Sequence, residues 1–199
     1  LSRNLPAAEL ERQLNPGLYE LLQKSGVKLP HEKSWYGLSI VLGGAEVTMG
    51  DLAKLYAMLA DDALLRPVRI LQNERAEAEG SVLSPEAVFV LKRMLASRGE
   101  FITAGGAKRE LLYKTGTSNG WRDAWTAGSV GPYVIVAWLG NFSGAPNPQL
   151  QGAALAAPLF KAAAARIASD PSFDWPAAKI PQDEIDEKKL RVARETVCT

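Results

Sequence analysis

One cysteine, Cys198, and one histidine, His31, are all that these 199 residues hold of the two side chains most used for disulfides and soft metals. A lone thiol excludes an internal disulfide framework and a Cys-rich zinc site. A lone imidazole excludes a multi-histidine metal centre. No metal or other cofactor is expected. No apolar run approaches the roughly 18 residues of a membrane span. A dense basic run is also missing: 23 Lys and Arg nearly cancel 22 Asp and Glu, leaving a formal charge of +1, so no nucleic-acid partner is expected. The chain starts at Leu1, without an initiator Met and without the charged and apolar regions of a signal peptide. It is expected to be a piece of a longer protein, with any membrane anchor outside it.

What is present suits one folded domain: 47% of the residues are hydrophobic and 23% charged. Pro6 to Leu14 and Pro16 to Ser25 read as two short helices, each with a proline near its start, the second closed by Gly26. Residues 27–42 read as irregular. The clearest helix is "EVTMGDLAKLYAMLADD", with Thr48 and Asp51 in a capping-box arrangement and an apolar stripe of Leu52, Leu55, Tyr56 and Leu59. Glu46 is expected to support its start. "RPVRIL" (66–71) is β-like, and "SPEAVFVLKRMLAS" is a helix capped by Ser84. Residues 100–109 read as a mobile, Gly-rich loop.

The pattern then turns to β. "ELLYKTGTS", "RDAWTAGSV" and "YVIVAWLGNF" are separated by Asn119-Gly120 and Gly131-Pro132, which predicts three antiparallel strands in sequence. An Ala-rich helix over 153–168 follows, able to cover the sheet. Past Asp170 the chain becomes Pro-rich and charged, so 171–199 reads as a linker into a further C-terminal domain.

Two polar runs stand out. In Lys114-Thr115-Gly116-Thr117, strand alternation puts Lys114 and Gly116 on one side and the threonines on the other, and the glycine lets a ligand or backbone come close. Alone, the run reads equally as a solvated edge strand. Ser2-Arg3-Asn4 alone reads as a turn or a helix start. Arg122 and Asp123 are expected to pair or cap a turn, Trp121 and Trp125 to pack, and His31 to be an exposed bystander.

Together and in this order, the runs match two motifs of a set of three, S-x-N and K-T-G, the other being a nucleophilic S-x-x-K. With "LGGAEVTMGDLAKLYAMLADD" and "YKTGTSNGWRDAWTAGSVGPYVIVAWLGNFSG", the chain resembles class A bifunctional penicillin-binding proteins over residues 1–170. The RDAW after K-T-G-T-S is the most specific piece. The resemblance implies an α+β fold of the β-lactamase/transpeptidase type, here without its N-terminal strands and nucleophile helix. It implies the C-terminal part of a peptidoglycan DD-transpeptidase domain, acylated by β-lactams and acting on stem peptides at the periplasmic face of the bacterial inner membrane. The longer protein would be membrane-anchored, carry a glycosyltransferase domain and meet other cell-wall synthesis proteins. By the same resemblance Ser2 relays a proton to the leaving amine and Asn4 holds the substrate amide. Lys114 sits beside Ser2 and keeps the site positive. Thr115 and Thr117 bind the carboxylate, Gly116 lets the substrate lie close, and the Thr117 N–H forms half of the oxyanion hole.

The acylating serine is the missing part. Ser34, Ser39, Ser84, Ser143, Ser169 and Ser172 lack a lysine three residues on, so the nucleophile is expected outside these residues and the isolated chain is expected to be inactive. Two alternatives share the motifs. A serine β-lactamase needs a deacylating glutamate in an E-x-x-x-N setting, but Glu32 and Glu46 are followed at that place by Tyr36 and Gly50. A non-catalytic cell-wall peptide-binding module would keep the binding wall and lose the rest.

Overall fold

The computed structural model describes residues 4–61, 63–71, 77, 79–96 and 99–176. Its helices are α1 (Asn4–Gln13), α2 (Leu18–Lys24), α3 (Lys33–Tyr36), α4 (Met49–Ala60), α5 (Pro85–Leu95) and α6 (Ala157–Ser169). Two strands, β1 (Leu64–Leu65) and β2 (Gly80–Ser81), form a small ribbon. The main sheet is a four-stranded antiparallel meander in chain order: β3 (Phe101–Ala104), β4 (Ala107–Thr117), β5 (Asp123–Val130) and β6 (Tyr133–Gly140). Helices and an antiparallel sheet are thus mixed in one α+β arrangement.

The fourth strand corrects the reading of 100–109 as a mobile loop. Gly105 and Gly106 have φ of 57° and 71° and join Ala104 to its partner Ala107. Two successive positive φ values are what a two-residue type I′ hairpin turn demands, and Gly supplies them without a Cβ clash. β5 and β6 are joined as tightly, through Gly131-Pro132 with Val130 opposite Tyr133.

Two other segments also depart from expectation. The β-like 66–71 run is not a strand; pairing stops at Leu65, one residue before Arg66-Pro67. Pro67 lacks the N–H that a ladder needs. Residues 27–42, read as irregular, hold α3 and a 3-10 segment over Gly37–Leu42.

Capping follows the sequence closely. At α4, Thr48 Oγ1 accepts from the Asp51 amide at 3.0 Å, and Asp51 Oδ2 accepts from the Thr48 amide at 2.9 Å. Ser84 Oγ accepts from the Ala87 amide at 3.2 Å to start α5. Glu46 takes no part in the α4 cap. It accepts the Tyr36 hydroxyl at 2.7 Å, which holds its carboxyl below the usual range, while burial first and the Glu46 bond second push Tyr36 upward.

The core has two main parts. α6 lies on one face of the sheet, where Phe160, fully buried, packs with Leu111, Tyr113, Val130, Ala137 and Ala164. The other face meets α4 against β5 and β6, and α5 against β4. A second cluster, Leu22, Val27, Tyr36 and Ile40, gathers α2, α3 and the 3-10 segment, and Leu55 of α4 packs against it. α4 therefore ties the helical part to the sheet that carries the polar run.

The described chain returns to the sheet after α6. Trp175 lies edge-on to Tyr133 and beneath the Arg109 guanidinium, which donates to the Ala104 carbonyl at 3.0 Å and the Pro176 carbonyl at 2.5 Å. Most of the expected linker and the expected downstream strand lie in 177–199, outside the described residues.

Candidate active site

β4 is longer than its neighbour on one side, and this makes its second half an open edge. β3 pairs with β4 only as far as Glu110, and the last bond runs from the Leu111 amide to the Glu100 carbonyl at 2.9 Å. On the other side β5 pairs with β4 through Thr117, and the Ser118 amide then donates to the Asp123 carbonyl at 3.0 Å. Those two bonds fix the phase of the strand: odd-numbered amides face the β3 side and even-numbered ones face β5. Past Leu111 no strand among the described residues pairs on the β3 side. The backbone N–H and C=O of Thr115 and Thr117 therefore point off the edge.

Side chains alternate across the same strand as the sequence predicts. Leu111 and Tyr113 face α6, and the threonines continue that row. Lys114 and Gly116 face the other way, with Trp125 directly across from Gly116. Lys114 is exposed, and its ammonium folds over the edge to donate to the Thr115 carbonyl at 2.5 Å. The Lys114 ammonium and the edge amides thus share one rim of β4, with the Thr117 hydroxyl on the α6 side of it. They suit a ligand that carries a carboxylate and develops negative charge.

Thr117 has a further partner that lies far off in sequence. Gly152, where the Ala-rich segment begins as a π-helical turn over Gly152–Ala156 ahead of α6, donates its amide to Thr117 Oγ1 at 3.0 Å. A Cβ on Gly152 would run into the carbonyl oxygens of Gly116 and Trp125. No sequence signal marks Gly152, because only the folded sheet brings residue 152 to residue 117.

The turn after the run is held by Ser118, whose Oγ accepts from the amides of Arg122 (3.2 Å) and Asp123 (2.8 Å). Arg122 and Asp123, expected to pair or cap a turn, meet Ser118 in the turn through their amides and do not pair with each other. Asp123 Oδ1 accepts Trp138 Nε1 at 3.0 Å instead. Trp125 packs with Trp138, their ring centroids 6.1 Å apart, whereas Trp121, at φ 52°, is half exposed. Exposed His31 stacks on Trp35 at 4.0 Å. Among the described residues no group of His, Cys, Asp and Glu gathers as a metal site.

Ser2 lies outside the described residues. Asn4 opens α1, which packs on the 3-10 segment.

Ser25-Gly26-Val27-Lys28 also fits the nucleophile spacing. The structure removes it as a nucleophile. Ser25 is fully buried at the C-terminal end of α2 and its hydroxyl donates to the Leu21 carbonyl at 2.8 Å. Gly26, at φ 79°, turns the chain out of the helix, so the exposed Lys28 is not one helical turn from Ser25. We expect Ser25→Ala to lower stability by about 1 kcal/mol through the lost hydrogen bond. Penicillin labelling of the full-length protein should be unchanged, as gel fluorescence would report.

No family model matches the chain. Over 163 residues it is 32% identical to penicillin-binding protein 1C of Escherichia coli (strain K12), a match that covers 79% of this chain and 21% of that protein. The chain is thus related to that protein and spans about a fifth of its length.

Proposed function

We propose that these residues are the C-terminal part of a peptidoglycan DD-transpeptidase domain of the β-lactamase/transpeptidase type. Residues 1–170 supply the domain and 171–199 lead toward a further one. The observation that carries the reading is the Lys114-Thr115-Gly116-Thr117 run on the open edge of β4. The relationship to penicillin-binding protein 1C supports it.

In this reading a serine outside the chain attacks the carbonyl between the last two D-Ala residues of a stem peptide. A basic neighbour, also outside the chain, takes its proton as its oxygen forms the new C–O bond, and the carbonyl π electrons move to the carbonyl oxygen, which the Thr117 N–H stabilises as one of two donors. Thr115 and Thr117 hydroxyls hold the terminal carboxylate, and Lys114 lowers the energy of both negative groups. Gly116 keeps the strand slim enough for the peptide to lie along it. Asn4 holds the substrate amide. When the tetrahedral centre collapses the C–N bond breaks, and Ser2 relays a proton to the departing D-Ala nitrogen. An amine of a neighbouring peptidoglycan strand then attacks the ester carbonyl; the ester C–O bond breaks, and the serine oxygen recovers a proton that the amine gives up. With a β-lactam the leaving nitrogen stays tethered, so the ester persists. The longer protein would work at the periplasmic face of the inner membrane, anchored there and bearing a glycosyltransferase domain, with other cell-wall synthesis proteins as partners.

The test is intact-mass analysis of the full-length protein after exposure to penicillin. One adduct per chain, on a serine outside these residues and stable over hours, is expected. Sustained hydrolysis would point to a β-lactamase instead, and no adduct to a binding module.

A further inference from the structure

We infer that Gly152 is a positioning residue for the candidate site, acting through Thr117; this rests on the transpeptidase reading above. A threonine hydroxyl has one proton to donate and can rotate it among several acceptors. Here one lone pair of Thr117 Oγ1 is taken by the Gly152 amide at 3.0 Å. An oxygen that already accepts is polarised into a better donor, and its proton is left for an acceptor elsewhere. The acceptor at this rim is the substrate carboxylate.

The geometry explains why residue 152 is glycine although its backbone is not in the left-handed region. The start of the helical segment is pressed onto the seam between β4 and β5, where a Cβ would run into the Gly116 and Trp125 carbonyl oxygens. Both are backbone atoms in a paired ladder, so they cannot swing aside. Only a residue without a side chain brings its amide to Thr117. Ala156, Ala157 and Phe160 are buried one to two turns further on and hold that approach rigid.

A double-mutant cycle in the full-length protein tests this, read as the second-order rate of acylation by penicillin and by its methyl ester. Gly152→Ala and Thr117→Val are each expected to slow penicillin about tenfold, the worth of a hydrogen bond to a charged group. The ester, which lacks the carboxylate charge, should be slowed much less. The double variant should be no slower than the worse single one, because Gly152 acts through the hydroxyl that Thr117→Val removes. Effects that multiply, or equal slowing of acid and ester, would overturn the inference and leave the transpeptidase reading standing. A full-length protein that forms no penicillin adduct would end that reading and this one with it. If Gly152→Ala does not fold, amide exchange at Gly152 decides: Thr117→Val should speed it and Thr117→Ser should not, and equal exchange in both overturns the inference.

Discussion

Replacing Phe160 with alanine should cost about 3–5 kcal/mol, the usual range for removing a fully buried phenylalanine. The ring is completely enclosed on α6, 5.1 Å from the Tyr113 ring centroid, with Leu111, Val130 and Ala137 around it. Its surroundings cannot easily collapse. Three strands supply them, and β4 and β5 are already in close contact at Gly128, where a Cβ would overlap Tyr113 and the Leu112 carbonyl. Domains are stable by only about 5–15 kcal/mol, so this one side chain holds a large share. A lowered melting temperature, on the order of 10 °C, is the expected readout. Phe160→Leu, which keeps most of the volume, should lose less than half as much. Equal losses would mean that ring shape, not volume, is what the α6 contact needs.

The reason that contact matters for function is local. Tyr113 precedes Lys114 on β4, and its hydroxyl donates to Glu100 at 2.9 Å, while Lys161 of α6 pairs with Glu100 at 2.6 Å. That pairing outweighs burial, which pulls the other way, and holds the Lys161 ammonium above its ordinary range. The α6 face thus clamps β4 just where β3 ends. A free edge is a liability for most sheets and is blunted by charge or covered. Here it is stiffened from behind, as a binding rim requires.

How much of this was legible before folding depends on the range of each signal. The capping pairs Thr48–Asp51 and Ser84–Ala87 are three residues apart, so the letters show them. The alternation of Lys114 and Gly116 against Thr115 and Thr117 follows from strand period alone. The Gly105-Gly106 hairpin was equally local but hidden, because a glycine pair serves a turn and a loose loop alike; only the partner strand at Phe101–Ala104 distinguishes them. Ser25-x-x-Lys28 shows the opposite failure. The letters fit, and Gly26 ends the helix that would put the lysine beside the serine. The open edge beyond Leu111 and the Gly152 bond to Thr117 depend on where strands stop and which helix start lands on the sheet. Neither has a sequence-local signature.

Lys114→Ala in the full-length protein should slow penicillin acylation about a hundredfold while hardly moving the melting temperature. The two effects separate because the side chain is exposed and rests only on the Thr115 carbonyl, so its removal leaves no cavity and no buried group unpaired. Surface changes of that kind stay within about 0.5 kcal/mol. The kinetic loss comes from elsewhere. In the transpeptidase reading the ammonium faces the rim that takes the carboxylate and the developing oxyanion, and removing one pre-placed donor from such a site typically costs about 10²–10³ in rate. Lys114→Arg keeps the charge but replaces a compact ammonium with a planar fork. It should recover only part of the rate, since the fork cannot fold as closely over the Thr115 carbonyl. A Lys114→Ala protein that still acylates at full rate would show that the β4 edge is not the wall of the site, however well its residues match in order.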